Sequence, residues 1–455
     1  MNSRIPTELG TEKISRLLKQ YAFPAIIAMT ASSLYNMVDA IFIGHGVGPY
    51  AISGLALTFP FMNMAASFGT LVGVGASTLA SMLLGRKDYT MAQKVLGNVV
   101  ILNMITGIAF TVLALLFLDP ILWFFGASEN TISYARDYME IILLGNVITH
   151  VYYGLNSLLR SSGHPKTAMT ATIVTVILNA VLDPLFIFVM DMGIRGAAIA
   201  TILAQTVSLI WVVRIFTDKS NVIHFRKGIF RLDRKIVKDS LAIGMAPFLM
   251  NFVSCFIIIF INARLKEYGG DLAIGAYGIV NRIVFVFIMV VMGLTQGMQP
   301  IAGYNFGARQ MSRVLEVLKK TMLYASVVMT SGFIVCELFS RSVVQIFTTD
   351  ELLMEYSAKG LRTVVIMFPI VSLSMVIGNF FQSIGKAKVS IFISLSRQLI
   401  FLLPCLWILP LFFDIHGVWY SFAVSDFLSS IVSLAIILNF IKKHQKEYGL
   451  EKQQQ

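Results

Sequence analysis

Twelve apolar runs follow one another along the chain, and each is long enough to cross a bilayer. A hydrocarbon core of about 30 Å needs about 20 mostly apolar residues of helix. The runs lie at about 15–44, 51–83, 92–118, 131–160, 166–190, 195–217, 238–265, 272–305, 312–340, 352–383, 388–412 and 416–441. Lipid satisfies no backbone polar group, so runs of this kind must fold as helices bonded within themselves. The composition agrees. Of 455 residues, 56% are hydrophobic and 13% charged, and the mean hydropathy is +0.77. Soluble domains carry about 25% charge. A secreted scaffold, a disordered chain and a cytosolic enzyme are therefore excluded. The runs that exceed the minimum length imply tilt or protrusion beyond the membrane.

The net charge of +12 is distributed in short blocks between the runs, which argues against nucleic acid and for anchoring at an anionic membrane surface. One set of connections is rich in Lys and Arg, including Arg86, Lys87 and Lys94, then Arg160 and Lys166, then Arg309 and Arg313, then Lys386 and Lys388. Segment 218–238 is the most basic of the set. The alternate connections 45–50 and 119–129 contain no Lys or Arg. The positive-inside rule places both termini in the cytoplasm, and an even span count requires the same. Residues 1–20 are polar and basic and precede a run too long for a signal peptide, so no cleavable signal is expected. Cys255, Cys336 and Cys405 sit in apolar runs without metal-ligand spacing and read as packing residues.

The chain also repeats itself at an offset near 222. Ala51-Ile52-Ser53-Gly54 matches Ala273-Ile274-Gly275-Ala276, Gly75 matches Gly297, and Leu84-Gly85 matches Phe306-Gly307. Residues 160–166 match 382–388. At an offset of 221, Ile194-Arg195-Gly196 matches Ile415-His416-Gly417. Pro24 and Pro247 open the two halves. Each half holds an even number of spans, so both enter the membrane in the same direction. The expectation is an all-α membrane protein with two six-helix lobes, related by a pseudo-two-fold axis along the membrane normal. That architecture suits alternating access. The boundaries read as an N-terminal lobe over 1–217, a cytoplasmic linker over 218–237, and a C-terminal lobe with its tail over 238–455.

Several stretches resemble the multidrug and toxic compound extrusion (MATE) family. They are Leu34-Tyr35-Asn36-Met37-Val38-Asp39 with Ile43-Gly44, Gly73-Val74-Gly75-Ala76 leading to Leu84-Gly85, and Leu178 to Pro184. Gly196-Ala197-Ala198 and Gln299-Pro300 through Tyr304-Asn305 and Gly307 also fit. The resemblance spans essentially the whole chain and is nearest the small prokaryotic drug-exporter branch. It implies a proton- or sodium-coupled antiporter of cationic, lipophilic compounds in the cell membrane. The partners expected are small organic cations and membrane lipids, with the chain acting as a monomer and without a cofactor.

Charges inside spans are costly and usually mark a pathway or a partner. Asp39 lies deep in span 1 and Asp183 in span 5, and no Lys or Arg occupies the interior of spans 1 to 6. Two such acids require an external cation, a proton or a sodium ion. Tyr35 and Asn179 each precede an Asp by four residues and share its helical face. Thr201 adds a hydroxyl. The resemblance assigns Tyr35, Asp39, Asn179, Asp183 and Thr201 to cation handling. The plainer alternatives are a local role for Asp183 beside Pro184 and a shallower, interfacial Asp39.

The second half has no matching acids in spans 7 and 10, which weakens a sodium site there. Its buried charges are Arg282, Arg397 and Asp426. Asp426 either neutralises one of the arginines or contacts substrate. Gln296 and Gln299, flanking Gly297, are candidate cavity residues with Arg282 and Asp426. No HExxH motif, P-loop or nucleophile elbow occurs, so the sequence indicates neither an enzyme nor an ATP motor. The alternative function is a lipid or lipid-linked oligosaccharide flippase of related fold, for which a basic cavity would be expected.

Overall fold

The structure, a computed structural model, describes residues 6–451; the side chains at 34–37, 40, 41, 44, 45, 49, 52, 271 and beyond 444 lie outside the described residues. Among the described residues every secondary-structure element is a helix. The membrane-length helices are α1 (Ile14–Gly46), α2 (Pro49–Gly85), α3 (Tyr89–Leu116), α4 (Ile132–Ser161), α5 (Pro165–Val189) and α6 (Gly193–Phe216). They continue as α7 (Arg234–Gly270), α8 (Leu272–Gly307), α9 (Met311–Leu338), α10 (Glu351–Val365 with Phe368–Ser383), α11 (Ala387–Ile408) and α12 (Pro410–His444).

Among the described residues, ten of these are long and apolar enough to cross a membrane singly. The two halves of α10 reach that length only together, across a bend of 56°. Pro369 stands in the first turn of the second half. It lacks an N–H and disfavours helix at the residue before it, so the chain restarts there. α1, with 33 residues, takes the place of the first span.

The repeat is written into the backbone. Left-handed residues recur as Gly48 and Gly270, Lys87 and Arg309, Gly163 and Gly385, and Asp191 and Asp414. Three of these pairs keep the offset of 222 read from the sequence. The short helices Leu118–Phe124 and Ser340–Gln345 follow α3 and α9 at that same offset.

Two compact units divide the chain. One comprises Met1–Glu12 and Ile27–Phe252, the other Lys13–Ile26 and Val253–Gln455. The boundaries fall inside α1 and α7, so the start of each of these helices packs with the opposite half of the sequence. In the first unit the start of α7 crosses α2 backbone to backbone. A Cβ on Gly75 would lie 1.9 Å from Ser240 O, and one on Gly244 would lie 1.7 Å from Leu71 O. In the second unit the start of α1 crosses α8 in the same way, where a Cβ on Gly297 would lie 2.4 Å from Ala22 Cα. Small residues permit this approach, which van der Waals packing rewards in a membrane where no hydrophobic driving force separates helix from lipid.

The basic segment between α6 and α7 is docked along α3 within the first unit. Ile223 and Ile229 are each 1% exposed. Asn98 Nδ2 donates to Arg231 O at 3.2 Å, and Asn98 Oδ1 accepts from Asp233 N at 2.9 Å. Gln93 Nε2 donates to His224 O at 3.2 Å. The apolar core of this unit gathers Phe61 of α2, Tyr138, Met139 and Leu143 of α4, and Ile194, Ala197 and Ala198 of α6.

Candidate functional site: buried carboxylates in the first unit

Asp183 sits near the end of α5 with no solvent exposure, and Asp39 of α1 is 4% exposed. The local sequence explains the placement of Asp183. Pro184 lacks the N–H that would continue the helical ladder, and the next turn, Leu185–Val189, widens into a π-helix. The widened turn rotates the end of α5 relative to its regular part. Asp183 is not spent on capping this irregularity, because its Oδ1 accepts from Asn179 Nδ2 at 3.1 Å. Asn179 Nδ2 also reaches Thr201 Oγ1 of α6 at 3.3 Å, and Thr201 in turn donates to Ala197 O at 3.1 Å.

The carboxyl groups of Asp39 and Asp183 lie within hydrogen-bonding reach of each other. Asp39 Oδ1, Asp183 Oδ2 and Asn179 Oδ1 are buried and accept no hydrogen bond among the described residues. The structure therefore brings together four of the five residues assigned to cation handling; the side chain of Tyr35 lies outside the described residues. Among the described residues no ion pair involves either acid. Those of the first unit are Arg136 with Asp119 and Arg195 with Asp137, each at 2.7 Å. The oxygens gathered here, two carboxyls, an amide and a hydroxyl, suit a proton or a hard monovalent cation. No group of three or more His, Cys, Asp or Glu side chains arranged for a metal ion occurs among the described residues.

In the second unit, Arg397 Nε donates to Asp426 Oδ1 at 2.6 Å, with the Asp426 side chain 6% exposed. Arg397 stands at the start of a second π-helix, Ser396–Leu402, and its neighbour Gln398 donates to Ser254 Oγ at 2.6 Å. Of the two arginines open to Asp426 from the sequence, the structure selects Arg397. Arg282 of α8 has an exposed side chain and joins no ion pair among the described residues. Gln296 and Gln299 are half-buried and flank Gly297 at the α1–α8 crossing.

Sequence reasoning passed over His150, reading the histidines as mostly loop residues. His150 is fully buried in α4, with Nε2 2.9 Å from Ala65 O of α2. Its position in the middle of an apolar run was the available signal. It also passed over Gln205, which is 8% exposed and hydrogen-bonds to Thr149. Gln205 follows Thr201 by one turn on the same face of α6.

A helical membrane protein built as a duplicated pair of units, with two acids buried in one of them and joined to no ion pair among the described residues, has the construction of a transporter. The family model described as MatE matches residues 24–185 and 242–408, one segment in each half. The chain belongs to this family, and is an efflux transporter of the MATE type, not an enzyme. It is 25% identical over 424 residues to the multidrug export protein MepA of Staphylococcus aureus (strain MRSA252), covering 93% of each chain. A solved structure of the MATE multidrug transporter DinF-BH is 34% identical, with a TM-score of 0.89 over 96% of this chain and 98% of that one. A MATE family transporter of the MOP superfamily in an outward-facing conformation gives a TM-score of 0.92 at 23% identity, covering 98% of this chain and 100% of the other.

Proposed function

We infer that the chain exports lipophilic, cationic drugs from the cell in exchange for an inward-moving ion, and that a proton is that ion. The observation that carries this reading is the facing pair Asp39 and Asp183, buried with no basic partner among the described residues. Two carboxylates in contact away from water hold a cation between them. A proton and a drug cation then compete for one negative site, and antiport follows. Protonation at the outer face releases drug, and deprotonation at the inner face restores affinity for it. Each ligand shifts the carrier only by its differential affinity for the two states. The relatives named as multidrug exporters support the substrate class. The alternation of basic loops supports a carrier in the cell membrane with both termini in the cytoplasm.

The test is efflux from proteoliposomes at a fixed proton gradient, with and without sodium. Sodium-independent efflux is expected, and an absolute requirement for sodium overturns the choice of ion. Normal transport by both Asp39→Asn and Asp183→Asn overturns the site itself.

A further inference from the structure

α12 outruns its counterpart in the first half. α6 ends at Phe216, which at the offset of 221 corresponds to Ile437, whereas α12 continues as helix through His444. Phe440, Lys443 and His444 therefore stand on an extension that the duplicated plan does not require. Beside it, within the second unit, lies the turn between α10 and α11. Gly385 is left-handed there, with φ of 75°, and Lys386 N donates to Phe381 O at 2.8 Å. This closure ends α10 and fixes the backbone of Lys386 against the last turns of that helix. A groove of about 190 Å³ runs between the turn and the extension.

The polar lining of the groove is Lys386, Asn439, Lys443 and His444, and the apolar lining is Phe381, Val389, Ile436 and Phe440. No acid occurs among the described lining residues. Phe440 organises the basic groups. Lys386 Nζ lies 4.3 Å from its ring centroid. His444 Nδ1 donates to Phe440 O at 2.9 Å, and the two ring centroids are 4.1 Å apart. An ammonium seated on a ring face keeps N–H donors directed away from that face, where an anion can meet them. The volume falls below the roughly 300–1,000 Å³ of pockets that enclose drug-sized molecules, so the groove suits a small anionic group instead. Toward the middle of the spans the surface turns apolar. Phe392, one turn along α11 from Val389, is exposed, as are Ile431 and Leu438 of α12. Cationic at the span ends and apolar beyond, this surface matches an amphiphile with an anion at its head.

We propose that the groove binds the phosphate headgroup of an anionic phospholipid, held by Lys386 and Lys443 with Asn439 and His444 beside them. The acyl chains continue along Phe392 and the exposed side of α12. Basic side chains at the ends of membrane helices attract anionic lipid. A zwitterionic lipid offers the same phosphate but brings a cation that the lysines repel. A bound headgroup ties the α10–α11 turn to the extension of α12. The site is independent of Asp39 and Asp183 and of the coupling ion. The orientation proposed above decides only which leaflet supplies the lipid, the cytoplasmic one.

The experiment places a bimane fluorophore on Leu438→Cys, beside the groove, in a chain lacking Cys255, Cys336 and Cys405. The protein is held in phosphatidylcholine nanodiscs that contain increasing mole fractions of phosphatidylglycerol with brominated acyl chains, which quench bimane on contact. Half-maximal quenching is expected at a lower mole fraction of brominated phosphatidylglycerol than of brominated phosphatidylcholine. Lys386→Gln and Lys443→Gln should each raise that mole fraction about fivefold, the effect of one lysine near anionic lipid. Lys386→Arg should keep the wild-type value. Lys442→Gln is the control, because Lys442 is exposed and does not line the groove. Equal quenching by the two lipids in the unsubstituted groove overturns the proposal. So does an equal loss in Lys442→Gln, which would mean diffuse surface charge and no site. Reversal of the quenching by millimolar inorganic phosphate would assign the groove to a soluble anion and overturn the lipid as its occupant.

Discussion

At the scale of single residues, two buried carboxylate arrangements in one chain should behave differently, because one has an internal cation and the other has none among the described residues. Asp426 is matched by Arg397 at 2.6 Å. Removing one partner of a buried pair leaves an uncompensated charge, at a cost of about 3–5 kcal/mol, whereas replacing both is far milder. Asp426→Asn should therefore lower the folded yield and the melting temperature, and Arg397→Gln in the same chain should recover most of the loss. A well-folded Asp426→Asn with a changed drug profile would mean that the pair serves substrate. Asp39 and Asp183 should show the reverse pattern. Their Asn variants lose a charge that no basic group among the described residues balances, so expression should hold while gradient-driven efflux disappears. Binding of a fixed-charge drug to the wild type should tighten as pH rises, because each step in pH removes competing protons. In either Asn variant that slope should flatten, as read by titration calorimetry across the pH range.

Among elements, what the sequence revealed depended on whether a signal was local. The spans, the repeat and the positions of Asp39 and Asp183 were legible because apolar periodicity and isolated charges need no tertiary knowledge. The bend in α10 was not, since Pro369 lies inside one unbroken apolar run. The bonds of Thr175 to Ser208 of α6 and Tyr152 of α4 were equally invisible, because a lone threonine in a span reads as an ordinary backbone-bonded residue. Which arginine pairs with Asp426 depended on the π-helix that carries Arg397, and a π-turn has no sequence signature. The segment joining α6 to α7 is basic enough to read as a solvated strap. Yet Ile223 and Ile229 are buried, and Asn98 bonds to the segment at two points. Asn98→Ala should cost about 0.5–1.5 kcal/mol for each of the two part-buried hydrogen bonds it removes. The expected readout is faster protease cleavage between Asp218 and Arg234, with helical content unchanged.

For the whole molecule, the duplicated plan makes topology the prediction on which all others depend. In a background lacking Cys255, Cys336 and Cys405, a cysteine at Lys227 should react with membrane-impermeant maleimide only after the cells are opened. One at Glu129 should react in intact cells. The opposite result would invert the direction assigned to every proton and drug movement above. Both positions are exposed, so access and not burial decides the outcome.

The exchange of helix starts between the two units also constrains how the protein is made. Ala22 and Ile26 pack against Gly297 and Gly293, so the start of α1 cannot find its permanent neighbours until α8 has left the ribosome. At synthesis rates of about 5–20 residues per second, a wait of about 270 residues lasts roughly 15–50 s. During it, the first turns of α1 sit in the bilayer with a backbone face shaped for a glycine helix that does not yet exist. The first unit has a shorter wait, needing only the opening of α7 to close on Gly75. Assembly is thus staggered by birth order, the earlier half maturing first while holding one segment in reserve for its younger twin.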